Sequence, residues 1–115
     1  MSGKLTPVRK GNPVRPEDEV YYRDAARRFK ENLQLPLILV GGIRSCEVAE
    51  ALVAESVCDY VAMSRPLIRE PDLARRWRLG ERTRAACDSD NLCFRPVTSG
   101  TGIHCVVARR RDEAE

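Results

Sequence analysis

The chain has 115 residues, the size of one small domain, and carries 20 Lys and Arg against 17 Asp and Glu for a formal net charge of +3. With 43% hydrophobic and 32% charged residues it fits a soluble globular protein rather than a disordered one, and its small basic excess does not argue for nucleic acid. The longest unbroken apolar stretch, Leu37 to Val40, is too short to span a bilayer, and five cysteines without a charged-then-apolar leader suit free thiols in a reducing, cytoplasmic setting.

Residues 1–16 hold Pro7, Pro13 and Pro16 with glycines at 3 and 11. They read as a connecting loop, because each proline removes a donor and restrains the residue before it. From 17 to 80 the signals are ordered. Pro16 suits a first helical position, and Glu17, Asp18 and Glu19 suit the positive end of a helix dipole. Tyr21, Ala25, Phe29 and Leu33 recur every four residues, which predicts one apolar stripe on a helix of about four turns. The run Leu35 to Val40 predicts a strand over 36–41, buried on both faces and stopped by Gly41 and Gly42. Ser45 is a good N-cap for a helix across 45–56, with Glu47 in its first turn. A second strand over 59–63 runs into Ser64-Arg65-Pro66. Pro71 and Asp72 open a short helix carrying Leu73 and Trp77, with Gly80 as its stop. This alternation predicts an α/β fold with adjacent parallel strands joined by a helical crossover. Residues 81–115 differ in kind. They hold Cys87, Cys93 and Cys105 among turn formers, with little periodicity, and 109–115 read as a solvated charged tail.

In a parallel sheet, ligands bind beyond the carboxyl ends of the strands. Gly41-Gly42-Ile43-Arg44-Ser45 leaves backbone amides uncovered before a helix, and Ser64-Arg65 follows the second strand. Such amides attract phosphate, and an arginine adds planar, bidentate donors. A glycine pair after a strand is, on its own, more often a plain tight turn. Cys46 and Cys58 read as small buried hydrophobes, Tyr21, Tyr22 and Tyr60 as core, and Trp77 as helix packing. His104 is the single histidine, so the chain holds no His-based acid–base pair.

Two blocks carry a resemblance. Leu37-Ile-Leu-Val-Gly-Gly-Ile-Arg-Ser45, then Asp59-Tyr-Val-Ala-Met-Ser-Arg-Pro-Leu-Ile-Arg-Glu-Pro-Asp-Leu73, resemble the last two βα units of the NADH:flavin oxidoreductase (old yellow enzyme) family. The likeness runs from about residue 17 to residue 106. It implies the end of a (β/α)8 TIM barrel: a loop over 1–16, a partial barrel with strands seven and eight over 17–80, and an irregular cysteine-containing extension over 81–115. It also implies FMN as cofactor, NAD(P)H as reductant, and hydride transfer through the flavin to an activated alkene or similar acceptor. By position, Gly41, Gly42 and Ser64 would offer amides to the FMN phosphate, and Arg65 its guanidinium. Arg44 stands nearby as a weaker candidate. Ser64 departs from the family's glycine, so a Cβ crowds the backbone approach.

The segment Cys87-Asp-Ser-Asp-Asn-Leu-Cys93, followed after eleven residues by Cys105, resembles the iron–sulfur branch of the same family, close to 2,4-dienoyl-CoA reductase. That branch carries C-x2-C-x3-C-x11-C, and here Asp90 stands where its second cysteine would be. Three thiolates and a carboxylate suit zinc or a modified iron–sulfur cluster; the alternative is a set of cysteines held by ordinary packing. A whole barrel takes eight strands and about 250 residues, so the chain reads as a piece of an FMN-dependent oxidoreductase, inactive alone. No catalytic residue is expected within it. It would need the missing N-terminal barrel part or a second copy of itself as partner. A small cysteine-based metal-binding module and a non-catalytic interaction remnant are the alternatives.

Overall fold

The computed structural model describes residues 11–114; residues 1–10 of the expected loop and residue 115 lie outside the described residues. A 3-10 turn over Pro16–Asp18 is followed by α1 (Arg23–Asn32), β1 (Ile38–Val40), α2 (Cys46–Ala54), β2 (Tyr60–Ala62), α3 (Arg65–Arg69) and α4 (Leu73–Arg78). A second 3-10 turn over Leu92–Phe94, α5 (Arg95–Thr98) and α6 (Val106–Ala114) complete it. The strands pair in parallel with Leu39 opposite Val61, and α2 is the crossover between them.

The first helix departs from the predicted one. Pro16 does start a helical turn, but only a 3-10 one, and Val20 then takes a left-handed φ of 62° that is costly for a β-branched residue. The amides of Val20 and Tyr21 donate to the carbonyls of Gly42 and Gly41, so this stretch engages the end of β1 instead of continuing a helix. As a result α1 begins only at Arg23, its buried residue is Ala26, and Ala25 and Leu33 are exposed. Of the expected stripe of 21, 25, 29 and 33, Tyr21 and Phe29 are half-buried and the other two lie at the surface.

Leu39, Ile43, Ala49, Leu52 and Val57 form the core with Val20, Ala26 and Cys58, and Trp77 packs against it. Each buried aliphatic side chain contributes about 1.5–3 kcal/mol. Cys46 and Cys58 are buried as expected. The sheet, in contrast, has one covered face and not two. Helices α1 and α2 meet Leu39, while Ile38, Val40 and Tyr60 on the strands are 62%, 50% and 62% exposed. Alternation decides this: with two strands, residues on the side away from α1 and α2 meet no second layer among the described residues.

Asp59 ties the strand starts together. Its Oδ2 accepts from Lys30 Nζ and from the Leu37 amide, both at 2.8 Å, and its own amide donates to the Leu37 carbonyl. The Lys30 ammonium, with the Leu37 amide, holds the Asp59 carboxyl below the ordinary carboxylate range.

Ser45 does sit at the N-cap of α2, but its hydroxyl does not cap its own helix. It donates to Glu19 Oε1 at 2.5 Å, while Glu19 Oε2 accepts from the amides of Arg44 and Ser45 at 2.8 and 3.0 Å. A fully buried carboxylate from a distant segment thus fills the helix start. At the other end of the chain, Trp77 Nε1 donates to the Thr83 carbonyl and Gly80, at φ 94°, stops α4 as expected. The described part of the 109–115 stretch is exposed, as expected of a solvated tail, but it is helical. Residues up to Ala114 lie in α6, supported by an Arg109–Glu113 pair at 3.0 Å. Among the described residues, no helix is long and apolar enough to cross a membrane.

Replacing Glu19 by alanine would leave two helix-start amides, the Ser45 hydroxyl and the Arg84 guanidinium without their anion. We expect a loss of about 3 kcal/mol in urea unfolding. Glu17→Ala, at an exposed neighbour, should change stability by less than about 0.5 kcal/mol.

Candidate functional site

Both strands end in turns that a side chain shapes. After β1 the backbone passes through Gly41 and Gly42 at φ 132° and 71°. A Cβ built on Gly41 would lie 2.9 Å from the Tyr22 ring, and one on Gly42 would lie 2.9 Å from the Tyr21 ring. Glycine is required here because aromatic rings lie on the bare backbone in a conformation other residues rarely adopt. The two rings meet edge to face at 6.4 Å, and Tyr21 Oη donates to the Gly11 carbonyl. Tyr21 and Tyr22 are thus half-buried and exposed packing groups, not members of an interior core.

After β2, Ser64 is exposed at the N-cap of α3 and Arg65 is buried at its first position. Gly41, Gly42, Ser64 and Arg65 line one open cleft of about 60 Å³ beyond the carboxyl ends of the parallel strands, with Arg44 beside them. Arg65 donates one bond, from Nη1 to Asn91 Oδ1 at 2.7 Å, and no carboxylate pairs with it among the described residues. Arg44 is used differently. Only 2% exposed, it donates from Nη2 to Ser89 Oγ at 2.7 Å and from Nη1 to the Ile43 carbonyl at 2.9 Å, while its Nε has no partner.

Three guanidinium groups therefore gather at the strand ends, and Glu19 is the buried carboxylate among them. Burial, with the neighbouring charges of Arg65 and Arg84 adding to it, pushes Arg44 below its ordinary value. A cluster of cations short of counter-charge is a site for an anion. The backbone at the start of α2 is not, because Glu19 already occupies the amides of Arg44 and Ser45. Sequence reasoning read Glu19 as a helix-dipole acid and missed this role, and it missed Ser89, Asn91 and Arg84 as partners. The one available signal was the polar run Asp88-Ser-Asp-Asn91, since two arginines leaving a buried strand end need acceptors. Ser89 and Asn91 take left-handed φ values of 58° and 63°, which turns this loop back over both arginines.

The cysteines lie next door. Cys87, Cys93 and Cys105 line a second cavity of about 20 Å³ together with Asp90, and Arg65 borders both spaces. The structure thus brings the expected ligands Cys87, Cys93, Cys105 and Asp90 to one cavity. No three or more His, Cys, Asp or Glu side chains among the described residues are arranged to hold a metal ion. The physical reason lies in the neighbours: Cys105 Sγ accepts from Arg69 Nη1 at 3.4 Å and from the Ala108 amide at 3.5 Å, and Cys93 is only 7% exposed. The Asp90 carboxylate, the fourth member, accepts from the Leu92 amide. Protein donors thus meet the Cys105 sulfur and the Asp90 carboxylate.

Comparison with known proteins places this geometry. Residues 6–83 match the NADH:flavin oxidoreductase / NADH oxidase family. The chain is 34% identical over 95 residues to a 4,4'-dithiodibutanoate disulfide reductase of Rhodococcus erythropolis, covering 83% of this chain and 23% of that protein. It is 38% identical over 83 residues to a bilirubin reductase of Mediterraneibacter gnavus, covering 70% of this chain and 13% of that one. It is 35% identical over 68 residues to an NADH oxidase of Thermoanaerobacter brockii, covering 58% and 10%. The chain thus spans less than a quarter of the length of these relatives. With two parallel strands, a Gly-Gly turn and a buried arginine at their ends, and a family match over more than half its length, this chain belongs to the NADH:flavin oxidoreductase / NADH oxidase family.

Proposed function

We propose that this chain is the last two βα units of a TIM-barrel, FMN-dependent NAD(P)H oxidoreductase, and that it carries the phosphate end of the flavin site. The observation that carries the reading is the cleft itself: Gly41, Gly42, Ser64 and Arg65 face one space beyond parallel strand ends, with an arginine lacking a carboxylate partner among the described residues. These residues fit a phosphate monoester. The arginine supplies charge and directional donors, and the glycine backbone leaves room on its open side. When bound, the flavin would supply hydride transfer from a reduced nicotinamide to an acceptor. The chain's own part is to hold the anionic end, with Asn91 fixing the plane of Arg65 and Ser89 fixing Arg44 beside it. The iron–sulfur cluster and zinc implied by the branch likeness do not fit the cysteine arrangement, and no step is drawn through them.

The acceptor in this reading is an activated alkene or similar electrophile. The named relatives reduce substrates as different as a disulfide and bilirubin, in keeping with a fold end that handles cofactor and leaves acceptor choice to other segments. The bare sheet face adds to the reading. Ile38, Val40 and Tyr60 form an exposed apolar row beside unpaired strand edges, the surface that further barrel strands would cover. We propose that the partner is the remaining barrel, in the same chain or another, with self-association as its substitute in isolation.

In a reconstituted barrel, Arg65→Ala should weaken FMN binding by about 1.5–3 kcal/mol, read by equilibrium dialysis with flavin fluorescence. Unchanged flavin retention would remove the assignment. The isolated chain with added FMN should oxidise NADH or NADPH no faster than free FMN, and in sedimentation it should run as a dimer or larger species. A monodisperse monomer with a sharp thermal transition would show that no further strands are needed.

A further inference from the structure

The loop Asp88-Ser-Asp-Asn91 alternates acids with neutral residues, and the chain turns the neutral ones to its strand-end arginines. Ser89 and Asn91, 1% and 6% exposed, accept from Arg44 and Arg65, themselves 2% and 6% exposed, and each bond is 2.7 Å long. Asp88 and Asp90 stay exposed. Asp90 gives its Oδ1 to the Leu92 amide at 2.9 Å, and neither acid lines the strand-end cleft. Half-buried arginines elsewhere are answered by carboxylates: Arg76 meets Glu70, and Arg84 meets Glu19. For Arg65 an acid was available one position away in the sequence, and an amide oxygen stands there instead. A buried guanidinium is costly until a counter-charge answers it. The cleft that Arg44 and Arg65 line has no carboxylate in its wall among the described residues. The missing charge is therefore left to a ligand.

We propose that Asn91 is the residue that sets the anion affinity of Arg65. Its amide oxygen holds Nη1 and fixes the guanidinium without lending it a negative charge, so the whole positive charge stays available to a phosphate monoester in the cleft. A carboxylate at position 91 would close Arg65 into an internal ion pair and take the place of the ligand. Asn91 is a positioning residue, since it acts on the ligand through Arg65, and Ser89 stands in the same relation to Arg44. The inference rests on the phosphate reading above and adds to it the residue that keeps the site charged.

The test uses the whole chain in its solution assembly, with inorganic phosphate as the probe and phosphorus NMR line broadening as the readout. Wild type should broaden the phosphate signal, and Arg65→Ala should abolish the effect. Asn91→Asp keeps the side-chain size, and aspartate, like asparagine, tolerates the left-handed φ of 63°. It should weaken phosphate binding about tenfold and flatten the dependence of binding on sodium chloride. In phosphate-free buffer its urea midpoint should lie at or above that of wild type, because the buried cation gains a counter-charge. A residue that only held the loop together would lose stability and binding in step. Asp88→Asn, at an exposed neighbour, should change phosphate affinity by less than about twofold. Equal phosphate binding by wild type and Asn91→Asp, or a loss of stability that matches the loss of binding, would overturn the inference and leave the phosphate reading standing. A wild type that broadens no phosphate signal, or broadening that survives Arg65→Ala, would overturn both.

Discussion

Glu19 has to be satisfied before anything else at the strand ends can be arranged. A helix start presents several amides with no partner inside the helix, and a buried one cannot turn to water. In this chain the start of α2 lies under the 16–22 segment, and the two amides and the Ser45 hydroxyl are answered by one carboxylate. That carboxylate is buried in turn only because it accepts those donors and stands 3.4 Å from the Arg84 guanidinium. Each side of the arrangement makes the other tolerable. It also accounts for the cost at Val20, whose left-handed φ of 62° lets the chain turn from Glu19 onto the Gly41 and Gly42 carbonyls.

This cap decides where an anion can go. In many α/β proteins the phosphate sits on the helix start after the strand, and the Gly-Gly turn here suggests the same. With Glu19 in that place, a second anion at the α2 amides would meet a buried negative charge. What remains open is the side facing β2, where Arg65 lies and where the glycine backbone is exposed to the cleft. The loop through Ser89 and Asn91 then orients the arginines without neutralising them, because its acceptors are a hydroxyl and an amide oxygen. Neutral acceptors fix direction and leave charge available for a ligand.

The sequence made the parallel pair and its crossover legible because both depend on local signals: apolar runs, a double glycine, and a serine before a helix. The four cleft residues were legible through likeness of two motif blocks to a family. What was not legible depends on pairing across long separations. Nothing local in Pro16-Glu-Asp-Glu19 says which of three acids turns inward, and only the third reaches the start of α2. The late start of α1 was missed for the same reason, since the break at Val20 accompanies its pairing with the end of β1. The cysteine spacing pointed to a metal, but spacing cannot report that Arg69 and a helix amide approach the last sulfur.

The two cavities share Arg65, which therefore stands between the strand-end cleft and the cysteine loop. Asn91 accepts from Arg65 within the same loop that carries Cys87, Ser89 and Cys93, and Ala85 anchors its start by donating to the Arg44 carbonyl at 2.8 Å. Any group that draws the Arg65 guanidinium toward the cleft must either keep the Asn91 bond or break it. The loop is held besides by the Arg44–Ser89 bond at 2.7 Å and by the Ala86 amide on Glu70 at 2.7 Å, so its left-handed turns at Ser89 and Asn91 do not depend on Arg65 alone. Arg65 is thus the common wall of the strand-end cleft and the cysteine cavity. Both spaces meet at one arginine, held by Asn91 on one side and lining the cleft on the other.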